Sequence, residues 1–333
     1  MSTYRFALGG VVAVTIALAA ALAVVSAQGT RGAAPRTPWG DPDLQGTYTS
    51  DNWIGVPFAR PQQFGTRAEL TQEEFEAREK ANAEQVARDE NVLPESQQVG
   101  KDDAPNNAPR HWLERPERPS RATSIVIEPP DGRHPPTTPE AQRSAADRQA
   151  ARKTRGRGGP ESYTDFSNYD RCITRGVIGS ILPAIYGNGT TIHQGPGVVV
   201  IRNEMIHEAR VIPLDTRPRP GSDVQMYMGA PRGRWEGDTL VVESTNFTDR
   251  TSVGNATHSD ELRLEERFTR VDADTIRYEF TVNDPKTYTR PWTARIELDS
   301  RPGYEIYEYA CHEGNYGLRN MLLAARASER EGR

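Results

Sequence analysis

In the last third of the chain, apolar and polar residues alternate one by one. Leu262, Leu264, Glu266 and Phe268 fall on one face, and Arg263, Glu265 and Arg267 on the other. Ile276, Tyr278, Phe280 and Val282 oppose Arg277, Glu279 and Thr281. Trp292, Ala294, Ile296 and Leu298 oppose Thr293, Arg295 and Glu297. A period of two gives a strand one dry face and one wet face. Shorter apolar runs precede these at Thr190–His193, Val198–Arg202, Met205–Ile212 and Leu240–Ser244, and another follows at Glu305–Cys311. Turn residues separate the runs, as at Gly195-Pro196-Gly197, Glu236-Gly237-Asp238 and Arg301-Pro302-Gly303. The gaps leave no room for crossover helices, so the strands run antiparallel as a meander. About eight such strands are best closed into an up-and-down barrel, which removes exposed edges. A two-sheet sandwich is the alternative.

The preceding segments read differently. Pro38 to Tyr48 opens an extended arm whose rings (Trp39, Tyr48, Trp53, Phe58, Phe64) are too apolar for a free linker and are expected to pack on the folded domain. Thr71 and Glu74 form a capping box ahead of a polar helix from Gln72 to about Asp89. Residues 91–120 read as an irregular loop, Ser124–Glu128 as a short strand, and Thr138-Pro139-Glu140 as the start of a second polar helix. Gly314 to about Glu329 reads as a C-terminal helix. His111, His134 and His258 fall in polar stretches and are expected to be solvated. The expected fold class is mainly β, with an extended N-terminal arm and two or three peripheral helices.

The chain begins with a run of another kind. Phe6 to Val25 is almost unbroken Ala, Val, Leu, Ile and Gly after Arg5, and Val25-Ser26-Ala27 closes it with small residues. That is the pattern of a secretory signal peptide over residues 1–27. An uncleaved anchor is the alternative, because the run approaches spanning length. The small-residue end favours cleavage, and no Cys follows to carry a lipid. The expected location is periplasmic or secreted, with no stable membrane insertion after cleavage. Residues 28–160 would then be the arm with its polar helices and loops, and 161–333 the barrel domain with its C-terminal helix.

Hydrophobic residues make up 35% of the chain. That is low for one tightly packed globule, so a packed domain with weakly packed segments is expected. Net charge is −5 with both signs interspersed, and the absence of a basic stripe argues against nucleic acid as a partner. Cys172 and Cys311 are the two cysteines. In an oxidising compartment the simplest reading is one disulfide; a thiolate pair or one reactive thiol is the competing reading. A bridge would bring Asp170, Arg171, His312 and Glu313 within about ten Å, since bridged Cα atoms lie about 5.5 Å apart.

Four segments are distinctive: Pro38-Trp39-Gly40-Asp41-Pro42-Asp43-Leu44-Gln45-Gly46, Tyr169-Asp170-Arg171-Cys172, Gly233 to Glu243, and Tyr307 to Tyr316. They resemble a family of secreted bacterial proteins, abundant in soil acidobacteria and proteobacteria. The resemblance covers nearly the whole chain after the leader and implies no particular activity. By strand count and the element Gly233-Arg234-Trp235, the barrel part is similar in layout to lipocalin-like barrels, a fold-level analogy that says nothing of chemistry.

Candidate chemistry gathers at three places: Tyr169 to Cys172 with Arg175, Glu204 to Glu208, and Cys311 to Tyr316. If the last run is a strand with Ile306 inward, Glu308 and His312 face the barrel interior, beside Glu266 and His207. His312, Glu308 and Glu266 would then supply acid–base chemistry, with Arg171 steadying an anion. Asp170, Arg175, His207, Tyr278, Trp292 and Tyr309 are the candidate ligand contacts. No motif implies a cofactor; the alternative is one divalent metal ion held by His207, Glu266, Glu308 and His312. The same ionisable groups could instead form a satisfied network with Arg171, Arg175 or Arg210. The leading expectation is a barrel that binds a small, largely apolar or aromatic ligand. An extracytoplasmic hydrolase, lyase or isomerase is the alternative.

Overall fold

The structure is a computed structural model that describes residues 35–90, 113–155, 159–253 and 256–331. The leader over 1–27, residues 91–112 with His111, and the basic run 156–158 lie outside the described residues. The strands are β1 (Gly46–Thr49), β2 (Val126–Glu128), β3 (Thr190–Gly195), β4 (Val198–Asn203), β5 (Ala209–Pro213) and β6 (Ala230–Glu236). They continue with β7 (Thr239–Thr245), β8 (Ser252–Val253), β9 (Ala256–Thr257), β10 (Arg263–Arg270), β11 (Thr275–Asn283) and β12 (Trp292–Ser300). The helices are α1 (Gln72–Glu90), α2 (Pro139–Arg155) and α3 (Gly317–Arg330).

Residues 35–42 form a small unit by themselves, in which the Trp39 indole donates to Asp41 at 3.0 Å and Trp39 remains 37% exposed. The rest of the chain builds the barrel. Its strand path is β5-β4-β3-β1-β12-β11-β10-β7-β6, and β5 and β6 lie against each other to bring it nearly to closure. Around the barrel the strands follow chain order, which is the expected up-and-down meander. Short loops make this possible. Pro196-Gly197 joins β3 to β4 with Gly197 at φ 75°, and Gly237-Asp238 joins β6 to β7 with Gly237 at φ 60°. Both glycines hold a backbone shape that other residues resist.

The path has nine strands and every ladder along it is antiparallel. An odd number leaves β5 and β6 running in the same direction, and there no ladder forms. Side chains close that seam. Ile212 and Leu214 press on Gly233 so tightly that a Cβ there would sit 2.5 Å from the Leu214 side chain.

The interior is packed with side chains. Inward residues of β10, β11 and β12 are the expected ones: Leu264, Glu266, Phe268, Ile276, Tyr278, Phe280, Val282, Trp292, Ala294, Ile296 and Leu298 are all buried. Rings follow one another through it, Phe268 to Tyr278 at 4.8 Å, Tyr278 to Phe280 at 5.6 Å and Phe280 to Trp292 at 5.9 Å. Val177, Ile178, Ile181 and Leu182, from the segment before β3, join the same core. Each such side chain contributes about 1.5–3 kcal/mol by leaving water.

A charged cluster sits inside this core. Glu266 on β10 accepts from the Arg210 guanidinium on β5 at 2.9 and 2.5 Å, and from the Tyr278 hydroxyl on β11 at 2.9 Å. Arg210 and Glu266 are 2% and 0% exposed. Burial, then the Glu266 charge, pushes the Tyr278 phenol well above its usual range. The pair links the two sides of the seam that has no ladder.

Several expectations are corrected. Glu305–Cys311 is no strand. The edge of β12 away from β11 is already shared by β1 at Asp299–Ser300 and β2 at Thr293–Ala294, so no ladder partner remains. Met205–Ile212 breaks at a turn, with Ile206 and His207 at φ 59° and 44°, before β5 begins. In the segment read as an arm, β1 is a stave between β3 and β12, while Tyr48 and Trp53 are buried and Phe58 packs on the core as expected. His258 is buried with its Nε2 2.6 Å from the Thr251 hydroxyl, and His134 stacks on Phe58 at 5.1 Å, so neither is solvated.

A buried pair costs most when half of it is removed. Arg210→Met is expected to lower unfolding free energy by about 3–5 kcal/mol, and Arg210→Met with Glu266→Leu to regain most of that loss. Denaturant titration of the three proteins checks it. Losses that simply add in the double variant would show the pair is not a coupled clasp.

Candidate functional site

The ring-filled interior leaves the ligand question to the surface. A cleft of about 1240 Å³ lies at the end of the barrel where β3 begins and β4 and β12 end. Tyr186 and Gly187 ahead of β3 form one wall, and Glu204 after β4 joins it. Phe166, Tyr169 and Asp170 form another. The chain after β12 supplies Tyr304, Tyr307, Glu308 and Tyr309, and α3 contributes Leu318 and Met321.

The walls are tied by a bond and a strained turn. Cys172 and Cys311 are disulfide-bonded, with Cα atoms 5.7 Å apart and a sequence separation of 139. On the chain-entropy model a loop of that size removes about 5 kcal/mol from the unfolded state. Ile206, β-branched and at φ 59°, is strained. Its turn aims four side chains. Glu204 accepts from the Tyr304 hydroxyl at 2.6 Å. The Met205 sulfur lies 3.6 Å from the Tyr169 hydroxyl. His207 Nδ1 meets the Tyr309 carbonyl at 3.0 Å. Glu208 accepts from Thr174 at 2.8 Å and Ser180 at 3.3 Å. Gly189 lets Glu204 and Tyr304 approach, since a Cβ there would meet them at 2.5 and 2.9 Å.

Three phenols meet in the cleft: the Tyr169 hydroxyl lies 3.5 Å from that of Tyr186 and 3.4 Å from that of Tyr309. Burial foremost raises Tyr169 and Tyr309 above the usual phenol range, and the bond to Tyr169 foremost raises Tyr186, so all three stay protonated at neutral pH. Glu114 is the unusual acid. Burial, then the charge of Asp51, pushes it up to about 8. Asn188 binds both carboxyls, through its side chain to Asp51 at 2.9 Å and its backbone N–H to Glu114 at 3.1 Å.

Of the candidate catalytic and ligand-contact residues, Asp170, Glu308 and Tyr309 line this cleft, and so do Tyr169, Glu204, Cys311, Glu313 and Asn315 of the three segments the sequence singled out. Arg171 lies over the Tyr163 ring at 5.1 Å and Arg175 over Tyr169 at 5.3 Å. His207 and His312 are exposed, and Glu266, Tyr278 and Trp292 are sealed in the core. Glu266, sealed in the core, therefore does not meet Glu308 of the end cleft in one cavity, as the acid–base reading had placed them. The set His207, Glu266, Glu308 and His312 is scattered in the same way. Among the described residues no group of three or more His, Cys, Asp or Glu is placed to hold a metal ion. No helix among them is long and apolar enough to cross a membrane. Sequence reading missed Phe166, Tyr186, Tyr304 and Glu114; only the density of tyrosines around 304–309 hinted at them. Compared with known sequences, the chain matches no family model and no curated protein.

The raised Glu114 carboxyl has a pH signature. The folded protein holds this proton up to about 8, while an unfolded Glu releases it near about 4.3. Glu114 therefore favours the folded state at low pH, and that contribution is lost as pH rises across this window. Glu114→Gln is expected to remove that slope, so the wild type should lose stability relative to the variant between about pH 5 and about pH 8.5. Denaturation midpoints across that range give the comparison, and a constant difference would contradict the assignment.

Proposed function

We propose that this is an extracytoplasmic barrel protein, periplasmic or secreted, that binds a small, largely apolar or aromatic ligand. The binding place is the cleft at the barrel end, since the interior offers no room. One observation carries the reading: a cleft of about 1240 Å³ lined by six aromatic rings beside a filled core. Concave, ring-lined surfaces with a few directed polar groups are where small molecules bind. The disulfide suits an oxidising compartment, and the leader pattern points the same way. The resemblance to secreted bacterial proteins adds to it. Two of its segments, around Tyr169–Cys172 and Tyr307–Tyr316, come together at this cleft.

A thermal-shift screen of small aromatic compounds against the full protein tests this. A ligand at about 100 times its Kd adds about 2.7 kcal/mol to stability, a shift of several degrees. The shift is expected to shrink in Tyr307→Ala and Tyr309→Ala, which change the cleft and leave the core alone. A binder indifferent to both substitutions, or an aromatic set without any binder, would overturn the reading.

A further inference from the structure

We propose that the ligand is an organic cation, a substituted ammonium group carrying an apolar or aromatic body. This rests on the cleft being the binding place. Four carboxylates line it besides Glu114: Asp170, Glu204, Glu308 and Glu313. No Lys, Arg or His is among the described residues that line it. The charged residues that line the cleft are thus all acidic, in a chain whose charges are otherwise mixed.

The rings of the cleft favour the same guest. Tyr169, Tyr186, Tyr304 and Tyr309 are all half-buried, with their hydroxyls occupied. What they still offer a ligand is ring surface. Ring faces carry partial negative charge and attract cations, with quaternary ammonium groups as the best-matched guests. Arg175, which does not line the cleft, shows that chemistry on one of its rings, with its guanidinium 5.3 Å from the centre of the Tyr169 ring. An anion would meet repulsion from the carboxylates, and a neutral molecule would leave them unused. A cation gains from both features, and the partly enclosed walls strengthen each charge interaction over its value in water. Glu204 is the best-placed anchor, because the Tyr304 hydroxyl fixes it at 2.6 Å and the half-buried Glu204 faces the cleft.

Isothermal titration of the full protein with three probes of one size tests the assignment: benzyltrimethylammonium, benzyl alcohol and benzenesulfonate. The cation is expected to bind at least tenfold tighter than the alcohol, with the sulfonate weakest. Glu204→Gln and Glu308→Gln are each expected to weaken the cation severalfold and to leave the alcohol unchanged. Raising salt should narrow the gap, since it screens exposed carboxylates. Equal binding of cation and alcohol, or a preference for the sulfonate, would overturn the cation while leaving the cleft as an aromatic-ligand site. Binding by none of the three would remove both.

Discussion

A barrel of nine sequential strands cannot be closed by antiparallel ladders alone, because the last pair must run parallel. In this protein the defect falls between β5 and β6, and the ion pair of Arg210 with Glu266 spans it from inside. The pair is fully desolvated, so its geometry has to be good, and Tyr278 takes part in satisfying it. Ile212 and Leu214 against Gly233 finish the closure with apolar contact. The charged clasp and the rings around it fill the lumen. With the described lumen packed by these side chains, the proposed ligand site lies at the barrel's end.

The end of the barrel is shaped by pieces that have nowhere else to go. After β12, the chain finds both edges of that strand occupied, so residues 301–316 run as irregular backbone over the barrel end. Such a segment buries little: Tyr307 is 70% exposed. The Cys172–Cys311 bond and the contact of His207 with the Tyr309 carbonyl hold it in place. The cleft therefore depends on a covalent tie more than on a core of its own.

Much of the barrel was legible because alternation is a property of single residues. Glu266 could be placed inward among Leu264 and Phe268 from parity alone, and so could Tyr278 and Trp292. Its partner could not be chosen, since Arg210, Arg171 and Arg175 are equivalent in sequence and only the seam selects one. β1 was illegible because four residues between turns carry no periodicity. Glu305–Cys311 misled because its pattern is strand-like, while strand formation needs a free edge, which is a property of the whole sheet. That error placed Glu308, which lines the cleft, and His312, which is exposed, in the lumen. Glu114 has no local signal at all: its raised affinity for a proton arises from burial and from Asp51, distant in sequence.

The central claim is that the lumen is closed and the end cleft is where a ligand goes. Side-chain NMR of the full protein during titration with a binding aromatic compound reads both places at once. The account predicts shifts at the rings of Tyr169, Tyr186, Tyr307 and Tyr309, with the Trp292 indole and Tyr278 ring unmoved. Saturable shifts at Trp292 and Tyr278, with the cleft tyrosines unaffected, would show an interior site and contradict it.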